Sequence, residues 1–270
     1  MINFEDRLRQ ALEQGYDFSP TEVVGRAYEI VKSQMGFFIG FTLIYLVVSG
    51  IASSLAQAIS PGLNNVISTI LSALWIPGFF YAAHSAQKGE AISFNTFMQG
   101  HQKAGKLIGF QVLLGILVYL PLLPAIASLF LQDNIVEEII LMQEMAQEGE
   151  FYMPVVSSLS IILFAIGFAI TLFLSVAYSL GQVTVVLSDF SVWGSLEASR
   201  KLVQQKFFTF VGFFFVILGI NLLGALLLFV GMLVSIPVSL VSTYIVFADI
   251  FKLQEDDDQE QDLRDHFVSH

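Results

Sequence analysis

Long uncharged apolar blocks alternate along this chain with short segments that carry nearly all of its Lys, Arg, Asp and Glu. In water each element of a folded domain keeps a wetted polar face, and these blocks have none to offer. The solvent that fits such a pattern is a lipid bilayer. Composition agrees: of 270 residues, 55% are hydrophobic and 13% charged, with 26 Phe. The mean hydropathy of +0.73 also exceeds that of ordinary soluble domains.

A span needs about 20 apolar residues to cross about 30 Å of hydrocarbon, because every backbone N–H and C=O must be satisfied inside its own helix. Six blocks qualify, over residues 36–59, 66–86, 107–131, 155–187, 207–230 and 232–251. The fourth is too long for one perpendicular crossing, so its helix tilts or projects. Gly231 makes the last connection a tight helical hairpin. The expected fold class is all-α, a polytopic membrane helix bundle of about six transmembrane helices with amphipathic interfacial helices and internal repeats. Residues 1–35 form cytoplasmic amphipathic helices, 36–253 the transmembrane domain and 254–270 an acidic tail.

Orientation follows from the basic residues. Arg7, Arg9, Arg26 and Lys32 precede the first block; Lys88, Lys103 and Lys106 lie between the second and third. Arg200, Lys201 and Lys206 separate the fourth and fifth, and Lys252 and Arg264 follow the sixth. With six spans, all 12 fall on one side, which the positive-inside rule makes cytoplasmic. The expected location is the cell (inner) membrane, with both termini cytoplasmic. The longest outer loop, 132–153, is acidic, with Asp133, Glu137, Glu138, Glu144, Glu148 and Glu150. The first 35 residues lack the basic, apolar and small-residue regions of a signal peptide, so the first span is expected to be its own insertion signal. A net charge of -11 would point away from nucleic acid in a soluble protein, whereas in a membrane protein the local distribution of Lys and Arg matters more than the sum. No nucleic-acid partner is expected, and the absence of Cys excludes disulfides and thiolate chemistry.

The segments ahead of the spans are patterned. Ser19-Pro20-Thr21-Glu22 reads as a capping box with Pro in the first helical position, and Phe18 is placed to staple onto Val23. Val23, Ala27, Ile30, Val31 and Met35 then recur at helical spacing, which predicts an amphipathic helix lying in the membrane interface. Phe4, Leu8 and Leu12 mark a shorter one that stops at Gly15. At an offset of 172 residues, Asp189-Phe190-Ser191 repeats Asp17-Phe18-Ser19, and Val203, Phe210, Gly212, Phe213 and Leu218 repeat Val31, Phe38, Gly40, Phe41 and Leu46. A third copy starts at Ser93-Phe94 and continues through Phe97, Ala104 and Ile108. Three parallel units are expected, each an interfacial helix followed by two spans. Pro77, Pro154 and Pro237 are expected near the outer ends of the even spans.

Leu196-Glu197-Ala198-Ser199-Arg200-Lys201-Leu202, the Phe-rich fifth span, the Gly231 turn and Ile236-Pro237 resemble bacterial six-span membrane proteins related to the membrane domain of glycerophosphoryl diester phosphodiesterases. The resemblance covers most of the chain in layout. It implies a fold and a membrane location, and it carries no reaction with it.

Charges buried in a bilayer mark ion-coupled transport, because each costs about 2.5–3.5 kcal/mol on insertion scales. The spans hold almost none. Gln57, Gln111, Gln182 and Asn221 are their main polar side chains, with His84 and Asp249 near cytoplasmic ends, and these read as interhelical hydrogen bonders or interface residues. His84, His101, His266 and His270 contain no His-Glu-x-x-His arrangement, so no metal ligands are assigned. In the outer loop Glu137, Glu144 and Glu148 share one helical face, with Val136, Ile139, Ile140 and Met145 toward another, as in a helix lying on a surface. Asp256-Asp257-Asp258 reads as a disordered, solvating tail. Gly36/Gly40, Gly105/Gly109 and the Ser235, Ser239, Thr243 series predict close helix approach. No nucleophile elbow, phosphate loop or lipid-transferase motif is present, so no catalytic, cofactor-binding or metal residue is assigned and no cofactor is expected.

The function these features favour is a non-enzymatic accessory, scaffold or assembly factor. Its partners are the lipid bilayer and a protein met at the cytoplasmic interfacial helices or the acidic outer loop. The alternative is a transporter or permease for a small or lipid-like molecule, with the even spans around a central pathway. An intramembrane enzyme would need His84, His101 and Asp249 to converge.

Overall fold

A computed structural model of the protein describes residues 3–227 and 230–254. Asp256-Asp257-Asp258, Arg264, His266 and His270 lie outside the described residues. Within them the chain is helical, with no strand. The helices are α1 (Phe4–Gln14), α2 (Pro20–Ser33), α3 (Met35–Ile59), α4 (Pro61–Gln87) and α5 (Phe94–Met98), then α6 (Ala104–Tyr119), α7 (Leu123–Phe130), α8 (Ile135–Gln147) and α9 (Ser158–Ala177). The remainder are α10 (Gly181–Leu187), α11 (Val192–Gln205), α12 (Phe207–Leu226) and α13 (Met232–Ile250).

Six stretches are long and apolar enough to cross a membrane: Met35–Ile59, Pro61–Gln87, Phe94–Phe130, Ser158–Leu187, Phe207–Leu226 and Met232–Ile250. Each exceeds or approaches the roughly 20 residues a crossing requires. The chain is a multi-pass integral membrane protein with an all-α polytopic bundle. The fourth block, expected as one long helix, breaks at Tyr178–Leu180 between α9 and α10.

Contacts divide the chain into two units, Met1–Val112 with Val176–His270, and Leu113–Ser175. In the first, α4, α10 and α13 touch one another pairwise, and α3 and α12 pack against α4 and α13 respectively. The short helices complete a cyclic pattern. The helix α2 lies against α13, α5 and the following turn against α4, and α11 against α10. The apolar face expected to lie in the membrane interface, Val23, Ala27 and Val31 of α2, is instead buried within the protein. A sequence period marks a face that avoids water; it does not say whether lipid or protein covers it.

The offset of 172 residues is visible in the backbone. The helices α2 and α11 have 14 residues each, and α3 and α12 begin at corresponding positions. The connecting residues match closely: Gln34 has φ -130 and ψ 34, Lys206 φ -128 and ψ 38, and their N–H groups donate to Val31 O and Val203 O. Phe38 and Phe41 are buried, as are Phe210 and Phe213. Start signals differ from expectation. Ser19 makes no side-chain cap, whereas Ser93 and Thr96 form a reciprocal capping box at α5. The Phe18 ring packs edge-on against Phe210 and Phe213, at 5.1 and 5.9 Å between centroids.

The second unit contains α7, α8 and parts of α6 and α9. Thr171 donates to Val118 O at 2.9 Å, and Ser128 to Ser160 Oγ at 2.8 Å. The Glu138 carboxylate accepts from the Val155 N–H and the Tyr152 hydroxyl, at 2.9 and 2.7 Å. These two donors hold Glu138 below the usual carboxylate range. A depressed folded pKa gives stability present above the unfolded value of about 4.3 and lost as pH falls through the folded value. A spin label on Met153→Cys should therefore gain mobility only below about pH 4; in a Glu138→Gln background it should be mobile at neutral pH.

Two expectations about small and rigid residues change. A side-chain carbon at Gly36, Gly105 or Gly109 would meet nothing within 4 Å, so these glycines mark no close approach. Tight sites include Gly78 against the Phe97 carbonyl, Gly167 against the Pro121 carbonyl, Gly181 against the Phe110 ring, and Gly224 with Gly231 in the last hairpin. The Ser235 and Ser239 series does pack, bonding Asn221 across the α12 and α13 pair at 3.0 and 2.7 Å. The three prolines do not share a position: Pro77 lies well inside α4, Pro154 precedes α9, and Pro237 sits in the second turn of α13.

Candidate functional site

A cluster of polar contacts in the first unit lies where α13 ends. Arg26 of α2 and Asp249 of α13 form a two-point ion pair, at 2.7 and 3.0 Å. Hydrogen bonding to Asp249 raises the Arg26 pKa above its ordinary value. The Arg7 guanidinium of α1 donates to the carbonyls of Phe251 and Lys252, the latter at 2.6 Å. Those carbonyls would otherwise end the helix unsatisfied, and cations near a helix C-terminus also complement its dipole. Lys252 has φ 49, a left-handed conformation that usually favours glycine.

Around this end, Phe4 packs against Phe247 and Phe251, and the Tyr16 hydroxyl donates to Leu202 O at 2.6 Å. Burial raises the Tyr16 pKa well above that of a free phenol, so the group stays a neutral donor. Gln205 donates to Leu12 O, and Lys206 lies 3.7 Å from Asp17. A cavity of about 220 Å³ remains, lined among others by Arg7, Gln10, Gln14, Tyr16, Asp249 and Lys252. Of its charged lining residues, Arg7 holds the chain end after α13 and Asp249 is paired with Arg26 of α2, which is the arrangement of a clasp.

The residues weighed for an intramembrane enzyme have separate partners. His84 Nδ1 lies 3.1 Å from the Tyr244 hydroxyl, which donates to Gln87 Oε1 at 2.6 Å. His101 is exposed, with Nδ1 3.0 Å from Met98 O, and Asp249 pairs with Arg26. Among the described residues no group of three or more His, Asp or Glu is placed to hold a metal ion. Asn221 is the interhelical bonder its position implied, Gln57 is exposed, and the buried Gln182 Nε2 has no partner.

Sequence reasoning assigned no structural bonding role to Ser199 or Lys103. The Ser199 hydroxyl donates to Ala177 O at 2.9 Å and accepts from the Leu180 N–H at 3.1 Å, satisfying the backbone where α9 gives way to α10. Lys103 Nζ donates to Val186 O and Ser188 O at the other end of α10. The segment 196–202 is thus a packing motif, with Leu196, Ala198, Ser199 and Leu202 buried and Glu197 paired to Arg200 at 2.6 Å. Ser199→Ala should cost about 1–3 kcal/mol by stranding two buried backbone groups. Ser195→Ala is the control, since the buried Ser195 Oγ has no partner and its loss should cost less than about 1 kcal/mol. Thermal unfolding in detergent compares the two. No family model, curated protein or solved structure matches the chain.

Proposed function

We propose that this protein is a non-enzymatic accessory, scaffold or assembly factor of the cell (inner) membrane, with both termini cytoplasmic. The observation that carries the reading is the filled centre of the first unit. Where α4, α10 and α13 meet, Phe79, Val183, Val241, Tyr244 and Phe247 are buried, and the hydroxyls of Thr184 and Ser242 bond back to their own helices. Side chains packed in this way support a rigid body more than a solute pathway. The charged clasp serves the same end, holding α1 and α2 on the bundle. The apolar face of α2 is occupied, so a protein partner on that helix would meet its exposed Glu22, Glu29 and Lys32. On α11 it would meet Trp193 and Lys201. Three parallel units, and kinship with proteins related to the glycerophosphoryl diester phosphodiesterase membrane domain, belong to the same proposal; the paired turns at Gln34 and Lys206 support the repeat.

Capture from mild detergent should recover a stoichiometric protein partner, and a clean monomer that binds nothing would overturn the reading. The permease alternative retains one observation in its favour, the unpartnered amide of Gln182 within α10. Solute flux in proteoliposomes, lost in Gln182→Leu, is its test.

A further inference from the structure

The helix α8 presents three distinct arcs. Ile135 is buried, and Glu138 and Met145 are half-buried on the side that meets the protein. Glu137, Glu144 and Glu148 occupy a second, exposed arc at helical spacing. Val136, Ile139 and Ile140 form a third, and they are 63%, 40% and 49% exposed. Met145, expected with that apolar group, is half-buried; Gln143 is exposed within the third arc, and Leu141 and Met142, 39% and 38% exposed, add apolar surface on other sides of the helix. Phe151 and Met153 add further exposed apolar surface, at 88% and 75%.

The helix is also tethered at its N-terminal end and along its first turns. Four residues, 131–134, join it to α7, a reach of at most about 14 Å. Gln132 Oε1 accepts from the Ser157 N–H at 2.6 Å, one residue before α9. Glu138 accepts from Val155 N–H at 2.9 Å, which fixes the middle of α8 beside the approach to α9. Both α7 and α9 belong to apolar stretches that cross the membrane. The one apolar medium certain to lie within that reach is the bilayer surrounding those ends.

We propose that α8 lies on the lipid surface at the α7 and α9 ends, burying Val136, Ile139 and Ile140 among the head groups and upper acyl chains. Phe151 and Met153 anchor the adjoining segment in the same layer, as aromatic and apolar residues do at membrane interfaces. Glu137, Glu144 and Glu148 then face the water. The occupant is lipid, with neither a second copy nor another protein on this face. The inference holds whichever side of the membrane these ends occupy, and it is independent of the scaffold reading.

The chain has no native cysteine, so single substitutions Ile140→Cys and Glu144→Cys can carry an environment-sensitive fluorophore in phosphatidylcholine and phosphatidylglycerol vesicles. A quencher attached near the top of the acyl chain should reduce emission at position 140 several-fold more than at 144, with aqueous iodide giving the reverse order. The double substitution Val136→Glu with Ile139→Glu should then raise iodide access at 140. Equal lipid quenching at both positions, or free iodide access at 140 in the parent protein, would overturn the proposal. So would protection of 140 from both quenchers, which would mean a protein covers that face, and so would an unchanged response in the double variant.

Discussion

Replacing Phe97 with alanine is expected to lower the stability of the detergent-solubilised protein by about 3–5 kcal/mol, the usual range for removing a buried aromatic side chain. Phe97 is fully buried, and its ring lies 4.3 Å from that of Phe41, 5.5 Å from Phe38 and 5.8 Å from Phe79. Those partners come from α3 and α4, so one side chain of α5 joins three elements. Surrounding lipid does not soften the loss, because the void forfeits close contacts that neither water nor an acyl chain replaces. Phe97→Leu, which keeps much of the volume, should lose less than half as much in the same unfolding assay. Equal losses would show that the site is not tightly packed.

Gly78→Ala should be the second most damaging change, at about 3 kcal/mol, near the upper end for overpacking. A Cβ there would fall onto the Phe97 carbonyl oxygen, with its carbonyl carbon and Cα each 3.1 Å away. All three atoms are backbone, so relief requires α5 to move bodily away from α4. Gly36→Ala, where nothing lies within 4 Å, is the matched control and should be neutral or slightly stabilising. The separation between the two variants is readable as a difference in melting temperature.

What the sequence made legible was set by transfer energies. Uninterrupted apolar length located all six spans, and the register at 172 residues marked two elbows whose backbone angles agree within a few degrees. Neighbours were not legible, because in a bilayer lipid and protein are equally apolar. The last span is the most buried, with 61% of an 18-residue stretch inside the protein, yet its hydropathy of 1.8 is lower than the 2.2 of the preceding one, which is only 17% buried. The same blindness explains why Gly36 and Gly105 looked like contact points and Gly78 did not. The site-like features that went unnoticed, Ser199 beneath a helix break and Lys103 at a helix end, satisfy backbone groups whose exposure depends on where the chain bends. A serine's hydroxyl carries no mark of the bend it serves.

The pairing of α2 with α13 has a consequence for biosynthesis. Arg26 and Asp249 are 223 positions apart. At about 5–20 residues per second, roughly 10–45 s separate the emergence of one from that of the other. Throughout that interval Val23, Ala27 and Val31 have no α13 to cover them, and the nascent bilayer surface is the nearest shelter. A helix with that amphipathic spacing is suited to rest on a lipid surface until α13 is made, so one pattern of residues fits the chain both before and after the bundle closes.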